Sequence, residues 1–239
     1  MASLTENRRQ ELKALAQELG IEFHDLEIFN QALTHTSYAN EAKMPTKHNE
    51  RLEFLGDAVL ELATSTYLYQ QFPELPEGEL TKIRASIVRS ETLARLAQGL
   101  DFGEHLLLGH GERLCGGQGR RTNLEDAFEA VIGAVYVDQG WEKARDYVLR
   151  ELAGEFAQAE ALHDAILMDY KTTLQELVHK KPNQEIEYQE AGASGPDHAK
   201  VFTSRVLING RAMGEGSGRS KKAAEQQAAR QAWEKLTKK

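Results

Sequence analysis

The chain has 239 residues, of which 41% are hydrophobic and 28% charged, with a formal net charge of −8 and one cysteine. That length suits one large domain or two modest ones, and the apolar fraction is ordinary for a packed core. No apolar run reaches the roughly 18 residues that span a bilayer, and the opening MASLTENRRQ leads into charged helix rather than an apolar signal core, so a soluble cytoplasmic protein with no membrane partner is expected. Cys115 cannot close an internal disulfide and has no Cys or His at metal-ligand spacing. The charge is unevenly spread. Residues 1–167 carry 16 Lys and Arg against 28 Asp and Glu, net −12, whereas residues 168–239 carry 13 against 9, net +4. One half is suited to gathering cations and the other to meeting anions.

In chain order, helical apolar periodicity runs through RRQELKALAQEL, LEIFNQAL, ERLEFLGDAVLELATSTYLYQ, GELTKIRASIVRSETLARLAQGL, TNLEDAFEAVIGAVYVDQG and WEKARDYVLRELAG. Breaks fall at Gly20, FPELPEG, GHGERLCGGQGRR and Gly140. An Ala-rich stretch, taken as residues 156–167, is the candidate linker, loose or helical. Beyond it DYKTTLQELVHKK reads as an amphipathic helix with Leu174, Leu177 and Val178 on one side. EIEYQEA and VFTSRVLI then alternate as strands, Asn209-Gly210 marks a tight turn into a third strand, and KKAAEQQAARQAWEKL closes the chain as a helix with an Ala stripe backed by Leu236. The expected fold is an all-α domain over residues 1–155 followed by a small α+β domain, α-β-β-β-α, over 168–239.

The segment HNERLEFLGDAVLEL gathers acids on one helical face. With Glu50 at zero, a step of about 100° per residue puts Glu53 near 300°, Asp57 near 340° and Glu61 near 20°, opposite Leu52, Leu55, Val59 and Leu62. No Lys or Arg stands three or four places from Glu53 or Asp57 to relieve the repulsion. In TNLEDAFEAVIGAVY, Thr122 and Glu125 have capping-box spacing. Asp126 and Glu129 lie about 60° apart there, with Leu124, Phe128, Val131 and Val135 opposite, and Gly133 on the acid face leaves room for another helix. If the two acid faces meet, four carboxylates converge in a way that requires divalent cations, and oxygen-only ligands select Mg²⁺, with Mn²⁺ able to substitute. Capping, solvated faces and surface ion pairs are the bland alternatives.

HNERLEFLGDAVL, with ALTHTSY upstream and EGELTKIRASIVR and LEDAFEAVIGAVYVD downstream, resembles the ribonuclease III family in that family's order. KTTLQE and GSGRSKKAAEQQAA resemble its double-stranded RNA-binding domain. The resemblance covers essentially the whole chain, in the compact bacterial form. It implies metal-dependent cleavage of double-stranded RNA to 5′-phosphate and 3′-hydroxyl ends with short 3′ overhangs, maturing ribosomal RNA precursors and some messenger and transfer RNAs, with no small-molecule cofactor. It implies Glu53, Asp57, Asp126 and Glu129 as metal-site acids, Asp57 and Glu129 as catalytic, and Glu50 and Glu77 as acids near the scissile strand. Glu61 matches no functional acid of the family. The resemblance also implies a homodimer, with Phe54 entering a socket on a second subunit; a ring covered by its own chain is the alternative. For RNA it implies Thr172, Gln175 and Glu176 in a minor groove, Pro196 and His198 in the first inter-strand loop, and phosphate contacts at Ser220, Lys221 and Lys222. Lysines in a first helical turn oppose the helix dipole, which makes sense where both face phosphate and otherwise marks a solvated pair. His198 exposed to solvent is the alternative at that position. His35 reads as a structural histidine, while Arg120 and Arg121 either touch phosphate or balance nearby acids. A binding-only regulator of duplex RNA and a phosphodiesterase of small nucleotides are the rival functions.

Overall fold

The structure, a computed structural model, describes residues 4–73, 75–180, 184–194 and 200–237, and the side chains of these except 162–169. The chain divides into two compact units, Met1–Phe156 and Ala157–Lys239.

The first unit is helical: α1 (Glu6–Glu18), α2 (Leu26–Ala32), α3 (Thr36–Glu41), α4 (Glu50–Gln71), α5 (Glu77–Ile87), α6 (Ser90–Gly99), α7 (Phe102–His105), α8 (His110–Leu114), α9 (Arg121–Gln139) and α10 (Trp141–Glu151), with a 3₁₀ turn at Gly117–Gly119. The stretch read from sequence as one helix over GELTKIRASIVRSETLARLAQGL is two, α5 and α6, broken at Val88 and Arg89. Arg89 adopts extended backbone, so the helical hydrogen bonds restart at Ser90. α9 is the axis of the unit. Leu124, Ala127, Phe128, Ala130, Val131, Ile132, Gly133, Ala134 and Val135 are all buried along it.

α4 and α9 pack closer than side chains permit. A Cβ added at Gly56 would lie 1.8 Å from the Glu129 carbonyl oxygen, and one at Gly133 would lie 2.1 Å from the Leu52 carbonyl oxygen. Two glycines facing each other across the seam thus bring backbone against backbone. This contact corrects the expected apolar stripe of α4. Its buried residues are Leu52, Gly56, Val59, Leu60, Ala63, Thr64 and Leu68, a face rotated toward the acids, and Leu62 is left 56% exposed. Small residues, Gly56, Ala63 and Thr64, share the inward side with Leu52, Val59, Leu60 and Leu68.

The capping box expected at Thr122 and Glu125 is not formed. α9 starts one residue earlier, at Arg121, with no side-chain cap. The Thr122 hydroxyl turns to Asn123 Oδ1 at 3.5 Å, and Glu125 is engaged by Ser90.

α11 (Ala153–His179) runs through the stretch read as a linker and ends in the second unit. There β1 (Ile186–Ser194), β2 (Val201–Ile208) and β3 (Arg211–Gly218) form an antiparallel sheet in the order β1-β2-β3, and α12 (Lys221–Thr237) closes the chain. Asn209 and Gly210 both take positive φ, 52° and 74°, the two-residue turn that joins strands of matching twist. The core joins Leu174 and Val178 of α11, Val206 and Ile208 of β2, and Ala228, Ala229 and Ala232 of α12. Leu236, read as backing the Ala stripe, is 41% exposed instead. Trp233 of the same helix packs against the core.

Candidate active site

Because α4 and α9 touch at Gly56 and Gly133, the acids flanking those glycines face one seam. Gly56 lies between Glu53 and Asp57, and the backbone it meets is that of Glu129 itself. Glu53, Asp126 and Glu129 are half-buried, and Asp57 is exposed at the rim. Burial comes first in raising all four. Glu129 is pushed up to about 8, by burial and then by the charges of Asp57, Glu125, Glu53 and Asp126. Glu53 is pushed to about 7, by burial and then by Asp126, Glu50, Glu125 and Asp57. Asp126 rises to about 6, by burial and then by Glu125 and Glu50, partly offset by a backbone hydrogen bond. Asp57 is raised by burial and by Glu61. These are carboxylates that lack a counter-charge.

Among the described residues no group of three or more His, Cys, Asp or Glu side chains already stands as a metal-binding set. The donor chemistry nonetheless fits a hard divalent ion: the acids at the seam offer oxygen ligands, each is disfavoured as an anion by burial and by neighbouring acids, and a cation beside them would favour the charged forms.

The flanking groups sort clearly. Glu50 opens α4, with Oε2 3.7 Å from His48 Nδ1, and its charge reaches Glu53 and Asp126. Glu61 lies 3.8 Å from Arg84 Nη1. Glu77 opens α5 and accepts a hydrogen bond from the Thr81 hydroxyl at 2.9 Å. It lines a groove with Ser65, Thr66 and Tyr69 of α4 and Leu80 and Arg84 of α5, a groove that begins about 12 Å along the helix from Asp57. His35 caps α3, its Nδ1 accepting from the Ser37 backbone N–H at 3.2 Å, and burial holds it below its ordinary value. Arg120 pairs with Glu112 at 2.7 Å and Arg121 with Glu91 at 3.0 Å, so both balance acids of their own unit. Phe54 is 79% exposed.

In the second unit Thr172, Gln175 and Glu176 are exposed on α11. Pro196 and His198 lie outside the described residues. Ser220 is the N-cap of α12, its hydroxyl accepting from the Ala223 N–H at 3.1 Å. Lys221 and Lys222 follow, both exposed; Lys221 pairs with Glu190 of β1 at 2.7 Å, an ion pair that raises its pKa.

In the sequence Glu125 reads as half of a helix cap. Its charge acts on Glu53, Asp126 and Glu129. The signal was present: on a wheel of about 100° per residue it lies only about 40° from Glu129.

An acid seam in a helical unit, joined to an α-β-β-β-α unit with a cationic helix start, is the build of a two-part nuclease for duplex nucleic acid. Residues 25–156 match the Ribonuclease-III-like family and residues 170–236 the double-stranded RNA binding motif. The chain is 48% identical to Ribonuclease 3 of Bacillus cereus over 229 residues, 95% of this chain and 92% of that protein, and equally so to Ribonuclease 3 of Bacillus anthracis. It is 38% identical to the nuclease domain of ribonuclease III from Campylobacter jejuni, with a TM-score of 0.57, covering 61% of this chain and 99% of that one; that domain has structural flexibility in a region involved in dimer formation. The chain belongs to the ribonuclease III family, whose members depend on divalent metal ions. No described helix is long and apolar enough to cross a membrane.

Proposed function

We propose that the seam between α4 and α9 is the place where this chain hydrolyses double-stranded RNA, with Glu53, Asp57, Asp126 and Glu129 holding Mg²⁺, or Mn²⁺ in its stead. As a member of its family the chain is a double-strand-specific endoribonuclease. The observation that carries the assignment of residues is the pair Gly56 and Gly133, which presses the acid-bearing turns of both helices together. When bound, the ion supplies charge neutralisation at the scissile phosphate and acidifies the attacking water.

The residues divide the remaining work. Glu53 and Asp126, half-buried and mutually repelling, give up their protons on loading and act as ligands. Asp57 at the rim and Glu129 deeper in the seam also serve catalysis, orienting the water and taking its proton. Hydrolysis forms a bond from water oxygen to phosphorus and breaks the one to the 3′ oxygen, which leaves and takes a proton from solvent water, giving 5′-phosphate and 3′-hydroxyl ends. Glu50 and Glu77 stand near the scissile strand.

Phe54, too exposed to serve its own core, enters a second copy, and the resulting homodimer offers one site per strand and short 3′ overhangs. Thr172, Gln175 and Glu176 with Pro196 and His198 read the minor groove of A-form RNA by its 2′-hydroxyls, while Ser220, Lys221 and Lys222 meet phosphate. The cellular work is cytoplasmic maturation of ribosomal RNA precursors and of some messenger and transfer RNAs, without a small-molecule cofactor.

The test is cleavage of labelled duplex RNA with and without Mg²⁺, repeated with Glu129→Gln. Binding retained with cleavage abolished supports the assignment. Unchanged cutting by the variant removes Glu129 from the reaction.

A further inference from the structure

Among the acids in the first half of α9, Glu125 is the one to which the proposed reaction gives no role. It precedes Asp126, it is half-buried, and it is not spent on capping its own helix. The Ser90 hydroxyl donates to its Oε2. Ser90 is the first residue of α6, a ten-residue helix whose opening N–H groups favour a negative charge beside them. The carboxylate is therefore tied to a neighbouring helix rather than left to swing in solvent. From that fixed place its charge acts on Asp126 and Glu129 of its own helix and on Glu53 across the seam, three of the four acids there. An acid that only lowered the stability of its neighbours would have no reason to be anchored there.

We propose that Glu125, fixed by Ser90, is a positioning residue of the metal site: it stays beside the ligands, deepens the negative potential of the seam, and accepts hydrogen bonds from the water shell of the bound cation. This rests on the reading of the α4/α9 seam as the metal site. A divalent ion of the magnesium type keeps several waters when it binds, so carboxylates one layer out have partners there.

The experiment is direct Mn²⁺ binding to the full chain without RNA, by titration calorimetry, for the wild type and for Glu125→Gln, Ser90→Ala, the double variant, Glu129→Gln, and Glu142→Gln as an exposed acid on α10. Glu125→Gln is expected to bind about 10-fold more weakly. Ser90→Ala should weaken binding less, and the double variant should be no worse than Glu125→Gln alone, because Ser90 acts only through that carboxylate. Glu142→Gln should bind like the wild type. Thermal unfolding in EDTA should show each variant folded, which separates loss of the ion from loss of the fold. Wild-type affinity in Glu125→Gln while Glu129→Gln no longer holds the ion overturns the inference and leaves the site reading standing. Wild-type affinity in both overturns the site reading, and this inference with it.

Discussion

Gly56 and Glu129 are in backbone contact: a single methyl group at Gly56 would fall 1.8 Å from the Glu129 carbonyl oxygen. Gly56→Ala is expected to push α9 away and cost about 1–3 kcal/mol of stability, the range for overpacking a tight interface. Cleavage should fall further than stability, since the same shift moves Glu129 from Glu53 and Asp57. Thermal melts paired with a duplex-RNA cleavage assay check this, and a variant that melts early yet cuts normally would count against it.

Stability without metal should fall as pH rises. Glu53, Asp126 and Glu129 hold their protons more tightly folded, at about 7, 6 and 8, than the ordinary 4.5 for Glu and 3.8 for Asp. Their contribution is full below those ordinary values and is lost as pH climbs through the folded ones, so the window is about pH 4 to 8. Melting in EDTA should therefore decline across it, and Mg²⁺ should restore most near its upper end. Glu129→Gln, which cannot ionise, should flatten the upper part of that decline.

Loading the site should release protons. At pH 7 Glu129 and part of Glu53 are protonated in the free protein, and ligation requires them charged. Calorimetric titration of Mn²⁺ in two buffers of different ionisation enthalpy should show net release near pH 7 that diminishes by pH 9.

Phe54→Ala is expected to leave each protomer as stable as before, because the ring is 79% exposed. Assembly should weaken, by about 1.5–3 kcal/mol for each ring no longer buried. Sedimentation over a range of protein concentration reads the shift toward monomer.

Lys221→Ala with Lys222→Ala should weaken duplex binding at any sequence and lower the salt slope by about one for each phosphate left without its lysine. Filter binding across a salt series measures both effects. Lys221 is partly neutralised by Glu190 in the free protein, so Lys222→Ala should have the larger single effect.

The sequence made the acid faces legible because their periodicity is strong: Glu53 with Asp57 and Asp126 with Glu129 recur on one side of each helix, while capping, solvated faces and surface ion pairs stay open on spacing alone. It also disclosed the Asn209-Gly210 turn, where only residues tolerant of positive φ fit. It misjudged Leu62 because hydrophobicity was taken to mark the buried side, whereas a helix approach this close selects for glycine and alanine. Glu125 was missed for a related reason. Its spacing from Thr122 suggested a local cap, but its partner, Ser90, lies 35 residues away in the chain, and no local pattern carries that.

The seam is built from main chain, and main chain has few ways to adjust. Amides around Gly56 and Gly133 should exchange with solvent only when the whole helical unit opens, since α9 runs through its centre and neither helix can loosen alone. The proposed site is thus mounted on main chain that cannot shift locally, and accommodation to differently shaped duplexes falls to the surfaces around it.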